Sequence, residues 1–317
     1  MVDGTGPTSG GDGGSAQEVV AGVARLGVLF VNAYMVGAPG GPWTLVDSGL
    51  PLSAALTRRA VAGRYGAEAR PESIVLTHGH FDHAGAALEL ASGWDVPVYA
   101  HPLEMPYLTG KSDYPPQDPT MGGAIAQMAR LFPHSGYDFG DRVRPLPDDG
   151  SVPGLENWRW IHTPGHTPGH VSLFREADGT LLAGDALATM DLDSWISQLT
   201  YKRELHRPPA PFTIDWGASR RSVGALAGLE PSVVAAGHGL PMTGPGVAED
   251  LRTYAGRFSP PRRGRYVGQS ASADEEGVKE VPPPVPDPLP RVVAGVMTAG
   301  VVVAAGIALS RRLGHKG

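Results

Sequence analysis

The sequence predicts a layered α/β domain over residues 19–258, because short β-rich runs alternate there with helix-like runs and polar residues follow several strand ends. Loops at strand ends commonly carry functional side chains. The predicted strands are Gly27–Val36, Trp43–Val46, Ile74–Leu76, Val96–Tyr99, Trp158–Ile161, Val171–Phe174, Leu181–Ala183 and Val233–Ala236. The predicted helices are Leu52–Tyr65, His83–Ala91 and Trp216–Leu229.

The composition limits both the chemistry of a site and the class of partner. The chain has no cysteine, so disulfides and thiolate metal sites are excluded, and His, Asp and Glu are the strong metal ligands that remain. Its formal net charge of −6 provides no basic field for a phosphate backbone. We therefore expect a small-molecule substrate and no nucleic-acid partner.

A dense histidine motif gives the strongest indication of function. It has the sequence THGHFDH over residues 77–83, after a predicted strand and before a helical pattern. A loop leaving a strand end can direct His78 and His80 to one point, while the turn into the helix directs Asp82 and His83 to a second point nearby. Two neighbouring metals that share a water, each with an open position, fit this arrangement.

With this motif the chain resembles the metallo-β-lactamase superfamily of hydrolases, in its glyoxalase II and lactonase-like branch. The resemblance covers roughly residues 19–258 and implies an αββα sandwich. Three further motifs follow in the family's order: TPGHTPG with His166, AGDA with Asp185 and AGHG with His238. It implies one metal held by His78, His80 and His166, a second held by Asp82, His83 and His238, and Asp185 as the bridge.

The resemblance also implies a reaction and a cofactor. We expect two divalent ions and favour zinc as their identity. Iron and manganese are also accepted by such ligands. A metal-bridging hydroxide would attack an ester, thioester or lactone carbonyl, with Asp82 or Asp185 relaying a proton to the leaving group. Asp185 argues against antibiotic cleavage, since zinc β-lactamases lack the bridging aspartate. Ala188 stands where quorum-quenching lactonases carry tyrosine.

Two alternatives stay open at this point. Persulfide dioxygenases of the same fold use one iron held by two histidines and one aspartate, so an iron-dependent oxidoreductase would keep the same signature. A membrane-tethered binding protein could retain metals for stability, although open coordination favours catalysis. One iron per chain with oxygen-dependent turnover would identify the first alternative.

Four residues outside the ligand set are predicted to support it. Asp47 follows a strand and resembles the family's aspartate that hydrogen-bonds a metal-ligating imidazole. His162 and His170 flank His166 at four-residue steps, and His101 follows another strand. Each is a candidate for supporting a metal ligand, with a structural role as the alternative.

A long segment, residues 104–141, interrupts the α/β alternation and is predicted to be a lid-like insertion. Its bulky apolar residues predict a wall of the substrate pocket with a preference for apolar acyl groups. The alternative is a satellite core beneath the segment. The predicted pocket residues are Tyr107, Tyr114, Met128 and Phe132.

The two ends of the chain are predicted to lie outside the catalytic domain. Residues 1–18 are expected to form a disordered tail without a secretory signal, and residues 259–290 a Pro-rich linker. The uncharged run Val292–Leu309 predicts a transmembrane helix over residues 291–312, before a short tail, residues 313–317. We expect this C-terminal hydrophobic helix to anchor a cytoplasmic catalytic domain, with a docked helix as the alternative. Small residues at four-residue spacing in the run would allow a homodimer.

Overall fold

The computed structural model describes residues 15–287. The chain divides into two compact units, residues 1–282 and 283–317, and only residues 283–287 of the second are described. Most of the predicted N-terminal tail lies outside the described residues, as do the predicted transmembrane segment 291–312 and the tail 313–317. Between residues 15 and 287, no helix is long and apolar enough to cross a membrane.

Two sheets form the centre of the first unit. The first sheet contains the strands β1 (Gln17–Val20), β2 (Val23–Val28), β3 (Val31–Val36), β4 (Thr44–Val46), β5 (Ser73–Val75), β6 (Val98–Ala100) and β7 (Val143–Pro145), in that order. The second contains β8 (Ser151–Val152), β9 (Leu155–His162), β10 (Val171–Arg175), β11 (Thr180–Gly184), β12 (Val233–Ala236) and β13 (Met242–Thr243). In the first sheet the pairs β4–β5, β5–β6 and β6–β7 are parallel, and in the second sheet β11–β12 is parallel. The other pairs in these two sheets are antiparallel.

Helices cover the outer faces of both sheets. They are α1 (Ala54–Tyr65), α2 (Phe81–Ala84), α3 (Ala87–Trp94), α4 (Met105–Leu108), α5 (Ala124–Ala129), α6 (Trp195–Thr200), α7 (Trp216–Ala227) and α8 (Val247–Arg257). Alternate strand residues face opposite layers, as the period of two requires. Leu45 packs on the α1 and α3 side while Val46 faces the other sheet, and Leu181 packs on the α7 and α8 side while Leu182 faces inward. The layers therefore follow an αββα order, which confirms the layered α/β prediction.

Two predicted elements are divided in the structure. The run Gly27–Val36, predicted as one strand, is part of the antiparallel pair β2 and β3, which turns at Leu29 and Phe30. Leu29 has a φ of 56° and is exposed. The predicted helix His83–Ala91 is replaced by α2 and α3, and α2 begins before His83, so the motif's last residues lie within a helix.

The predicted linker also differs from the structure, because its first part is folded. Tyr266 is 1% exposed and its hydroxyl donates to the carbonyl oxygen of Pro116. A short hairpin, β14 (Ser272–Asp274) and β15 (Gly277–Glu280), follows it. Residues 259–282 therefore belong to the first unit. At the other end, β1 begins at Gln17, within the predicted tail.

Candidate metal centre

Strand ends bring the predicted site residues to one edge of the sandwich. Asp47 follows β4 and residues 77–83 follow β5, while Asp185 follows β11 and His238 follows β12. Since β4 and β5 are parallel, as are β11 and β12, the carboxyl ends of each pair lie side by side. His166 comes from the loop between β9 and β10.

The first set of ligands consists of His78, His80 and His166. One ring nitrogen from each lies within 4.8 Å of the others, and all three side chains are buried. Nδ1 of His80 is 3.0 Å from Nε2 of His166. A cation bound between them would accept a lone pair from both rings.

Hydrogen bonds determine which nitrogen of His78 and His166 faces the cluster. Oγ1 of Thr213 donates to a backbone carbonyl at 2.9 Å, so it accepts the Nδ1 proton of His166 at 3.2 Å. Oγ1 of Thr77 donates to the Asp47 carboxylate at 2.9 Å and accepts from Nδ1 of His78 at 3.1 Å. Nε2 of both rings therefore carries a lone pair.

The second set consists of Asp82, His83 and His238, whose ligand atoms also lie within 4.8 Å of one another. Nδ1 of His83 donates to Oδ2 of Asp47, and Nδ1 of His238 donates to the carbonyl oxygen of Phe30, both at 2.8 Å. Nε2 of each ring again faces the cluster, and Nε2 of His238 lies 3.5 Å from Oδ2 of Asp82.

Asp185 lies between the two sets. Its Oδ2 is 3.1 Å from Nε2 of His238 and 3.5 Å from Nε2 of both His83 and His166. One carboxylate oxygen thus contacts histidines of both sets. This is the position that a bridging ligand requires.

Burial and charge shift the protonation of these groups in opposite directions, since the Asp185 carboxylate raises the pKa of His83 and His238 despite their burial. Burial lowers the pKa of His78 and His166 well below the usual value and that of His80 to about 3, so the three rings are neutral. Burial alone would raise the pKa of Asp185, but His238 and His83 hold it well below its usual range. The carboxylate is therefore ionised.

The donor atoms fit divalent cations. Among the described residues, Nε2 of His78, Nε2 of His83 and Oδ1 of Asp185 are buried without a hydrogen-bond partner. Each such group costs about 1–3 kcal/mol unless something binds it. Imidazole nitrogens and carboxylate oxygens are ligands that zinc, iron and manganese all accept. The residues present therefore fit a pair of such ions.

Two of the four predicted supporting residues contact the ligand sets. Asp47 binds His83 as described, and its φ of 58° lies in the left-handed region. His170 is fully buried, its Nε2 accepts the backbone N–H of Asp185 at 2.8 Å, and its ring lies 5.2 Å from that of His78. Both residues therefore orient predicted ligands.

The other two, His101 and His162, pack on each other instead. Their rings stack with centroids 4.2 Å apart. Nδ1 of His101 accepts the backbone N–H of Leu103 at 3.1 Å, which caps a short helical turn. In the described part of the chain, neither ring contacts a residue of the two sets, so the structure gives them a local structural role.

An apolar cleft opens directly onto the cluster. Its floor contains His80, Asp82, His166, Asp185 and His238. Its walls are Phe30, Phe81, Ile125, Phe132, Pro209 and Phe212. Five of the eleven lining residues are therefore candidate metal ligands, and the other six are apolar.

Of the four predicted pocket residues, only Phe132 lines this cleft. Met128 packs with Phe132 in a satellite cluster behind the wall. Tyr107 and Tyr114 are buried and stack on each other with centroids 4.0 Å apart, so they lie under the site. The insertion thus provides both a wall and a satellite core, because its apolar groups divide between the two.

The sequence analysis missed Glu104, Phe30 and Phe212. Glu104 is fully buried at the end of the short turn after β6, four residues beyond the strand, so its position gave a weaker signal than that of Asp47 directly after β4. Phe30 lies within an uninterrupted apolar run, and Phe212 follows a Pro-rich stretch, so neither carried a signal.

Fold and site together define an αββα protein with a buried His/Asp metal cluster. The chain belongs to the metallo-beta-lactamase superfamily, whose family model matches residues 26–238. A relative, the probable metallo-hydrolase YflN of Bacillus subtilis (strain 168), is 46% identical over 249 residues, which cover 78% of this chain and 94% of that protein. Another from the same strain, the probable metallo-hydrolase YybB, is 29% identical over 195 residues, covering 62% of this chain and 74% of that protein.

Solved structures agree on the fold. A beta-lactamase domain protein from Burkholderia ambifaria has a TM-score of 0.51 at 23% identity, covering 78% of this chain and 76% of that one. At this identity the likeness establishes the fold only. Family membership and the cluster identify the chain as a metal-dependent hydrolase.

Proposed function

We propose that the protein is a binuclear hydrolase that cleaves an ester, thioester or lactone carrying an apolar acyl group. The observation behind this proposal is the single cleft in which two ligand sets, linked by Asp185, meet an aromatic wall. The second set favours two ions rather than one, because the ligand atoms of Asp82, His83 and His238 lie within 4.8 Å of one another, as those of the first set do.

Two divalent cations, when bound, supply a nucleophile from water at neutral pH and polarise a carbonyl oxygen. The first would be held by Nε2 of His78, Nδ1 of His80 and Nε2 of His166. The second would be held by Oδ2 of Asp82 and Nε2 of His83 and His238. We propose that both ions are zinc. Iron and manganese accept the same donor atoms.

The protein's own residues position the substrate and move a proton. The apolar wall binds the acyl group and excludes water from the floor of the cleft. Asp82 lines the cleft, so the carboxylate oxygen that does not hold the second ion would be placed to take a proton from the attacking water and pass it to the leaving group. Asp185 remains an ionised link between the two sets.

Metal analysis combined with a substrate series tests this proposal. We expect two metals per chain in protein purified without added metal, and hydrolysis of p-nitrophenyl esters, thioesters and lactones of increasing acyl length. Asp185→Asn should lower kcat roughly 100-fold or more and reduce metal content. His134→Ala, at an exposed position, serves as the matched control. One iron per chain with oxygen-dependent turnover and no hydrolysis would contradict the proposal.

We also propose that residues 292–309 anchor the enzyme to a membrane and leave the catalytic domain in the cytoplasm. The support is the length and the absence of charge of this run in the sequence. In the described domain, exposed Trp195, Ile196 and Leu199 on α6 add apolar surface that a lipid interface would accept. Recovery of full-length protein in the soluble fraction without detergent would contradict the anchor.

Crosslinking of the full-length protein tests the expected homodimer.

A further inference from the structure

Glu104 is a buried carboxylate with an unusual set of donors. It is fully buried at the end of the short turn after β6. Oε1 accepts from Oγ1 of Thr167 at 2.7 Å and from the N–H of Gly169 at 2.9 Å. Oε2 accepts from the N–H of Gly79 at 3.0 Å and from the hydroxyl of Tyr114. Every lone pair of the carboxylate is thus directed at a donor.

Two of the donors to Glu104 are adjacent in sequence to ligands of the first set. Gly79 stands between His78 and His80, and Thr167 follows His166 directly. Glu104 therefore joins the two loops that carry all three ligands of the first set. Its carboxylate bridges the two loops through hydrogen bonds to Gly79, Thr167 and Gly169.

Tyr114 extends the connection to the side chain of a ligand. Its ring lies against that of His80 with centroids 4.5 Å apart, and its hydroxyl binds Glu104 while accepting the N–H of Gly79 at 2.9 Å. The insertion thereby supports His80 from beneath, through the same carboxylate.

Close packing leaves no room for a looser arrangement. A Cβ on Gly79 would lie 2.6 Å from the hydroxyl oxygen of Tyr114, and a Cβ on Gly169 would lie 2.8 Å from both Cγ and the backbone nitrogen of Glu104. Contacts below 3.0 Å require a neighbour to move: side chains at Gly79, and the side chain and backbone of Glu104 at Gly169. Glycine at both positions lets the loops approach the carboxylate.

The second ligand set is held by other groups. Asp47 binds His83 directly and reaches His78 only through Thr77, while the carbonyl oxygen of Phe30 binds His238. In the described part of the chain, Glu104 forms no hydrogen bond or ion pair with Asp82, His83 or His238. The two sets therefore have different supports.

We infer that Glu104 is a positioning residue that sets the affinity of the first metal site, formed by His78, His80 and His166, without setting that of the second. This inference rests on the proposed two-metal function. It predicts that loss of the carboxylate lowers the affinity of one metal selectively, which general destabilisation of the fold would not do.

Glu104→Gln is the sharpest substitution, because it keeps the shape and removes the charge. An amide presents two N–H donors on one side, so it must face either Gly79 or Gly169 with a donor opposite a donor. One backbone N–H then loses its bond to residue 104; at Gly79 the Tyr114 hydroxyl is the acceptor that remains. Tyr114→Phe is a milder second variant that removes one of the donors and keeps the ring on His80.

Asp118→Asn provides a matched control. Asp118 is also a buried carboxylate, and it accepts from the backbone and side chain of Thr120 and from the N–H of Arg265. It lies outside both ligand sets. Any loss of stability common to buried carboxylates will therefore appear in this variant as well.

The test measures zinc binding rather than turnover. Stepwise zinc affinities of the full chain are determined by competition with a chromophoric chelator, and anomalous scattering from crystals grown at limiting zinc gives the occupancy of each site. We expect Glu104→Gln to weaken one step roughly 10–100-fold and to empty the His78, His80 and His166 site first. Tyr114→Phe should shift the same step by less, and Asp118→Asn should shift neither.

The outcomes separate this inference from the proposed function. Equal weakening of both sites, an unchanged affinity in Glu104→Gln, or the same metal loss in Asp118→Asn would overturn the positioning role. A parent protein that binds only one zinc would instead overturn the binuclear function. If Glu104→Gln does not fold, the test falls to Tyr114→Phe. An unchanged zinc affinity of the His78, His80 and His166 site in that variant overturns the inference.

Discussion

The rings of Phe30 and Phe132 stack with centroids 5.8 Å apart, although one belongs to the turn between β2 and β3 and the other follows α5 in the insertion. Both line the cleft. The same turn also binds Nδ1 of His238 through the Phe30 carbonyl. The acyl wall and the second ligand set are therefore connected through one residue.

Truncation of this wall should change the acyl preference. We expect Phe132→Ala to lower kcat/KM for long acyl esters relative to acetyl esters by about tenfold, since one lost side chain in an apolar pocket is worth about 1–3 kcal/mol. Leu131→Ser, at an adjacent residue that is 83% exposed, is the control. An unchanged ratio in Phe132→Ala would mean that the insertion does not select the substrate.

His170 should affect both metal sites, because the residue that it positions, Asp185, lies between them. In His170→Ala the backbone N–H of Asp185 loses its buried acceptor. We expect turnover to fall roughly 10–100-fold and both zinc affinities to weaken. His206→Ala, outside the ligand sets, should match the parent. Loss of only one metal in His170→Ala would show that Asp185 is not shared.

Site residues could be predicted from the sequence where a metal-ligating residue type follows the end of a predicted strand. His78, His80, Asp82 and His83 could be predicted because no structural role explains such a density of ligands beside a strand. The structure brings them together with Asp185 and His238, as the order of the motifs predicted. The ligand assignment itself stays a prediction until metal is measured.

Other features could not be predicted because they depend on tertiary packing. The run VLFVN gives no turn signal, since Leu29 occupies a left-handed position where glycine or asparagine is usual. Tyr266 lies in a polar, Pro-containing stretch, yet the core between α7 and α8 accepts its ring. His101 and His162 occupy suitable strand ends but face each other.

The folded part of the predicted linker should contribute to stability. Replacement of Tyr266 by Ala removes a fully buried ring and a hydrogen bond to Pro116, so we expect a loss of about 3–5 kcal/mol in the free energy of unfolding. Tyr201→Ala, at an exposed position, should cost far less. Urea denaturation measures both. Near-equal values would mean that residues 259–282 do not pack in solution.

A final prediction concerns acid stability and the stacked pair of His101 and His162. Burial, with a smaller contribution from the neighbouring His162, lowers the pKa of His101 from 6.5 to about 4. Trp160 is the other ring against it, in an edge contact with centroids 5.5 Å apart. Between these pH values the unfolded chain binds a proton that the folded chain does not, so stability must fall as the pH drops from about 6.5 to about 4.

His101→Asn tests this origin of the pH dependence. Asparagine does not titrate, and its side-chain oxygen can still accept the N–H of Leu103, as His101 does at 3.1 Å. We expect the unfolding free energies of parent and variant, both metal-free, to differ by a constant amount above pH 7. As the pH falls below that value, the variant should lose less stability than the parent. His134→Asn controls for an exposed histidine and should follow the parent throughout. Parallel curves for His101→Asn and the parent down to pH 4 would show that His101 is protonated in the folded state as readily as in the unfolded state.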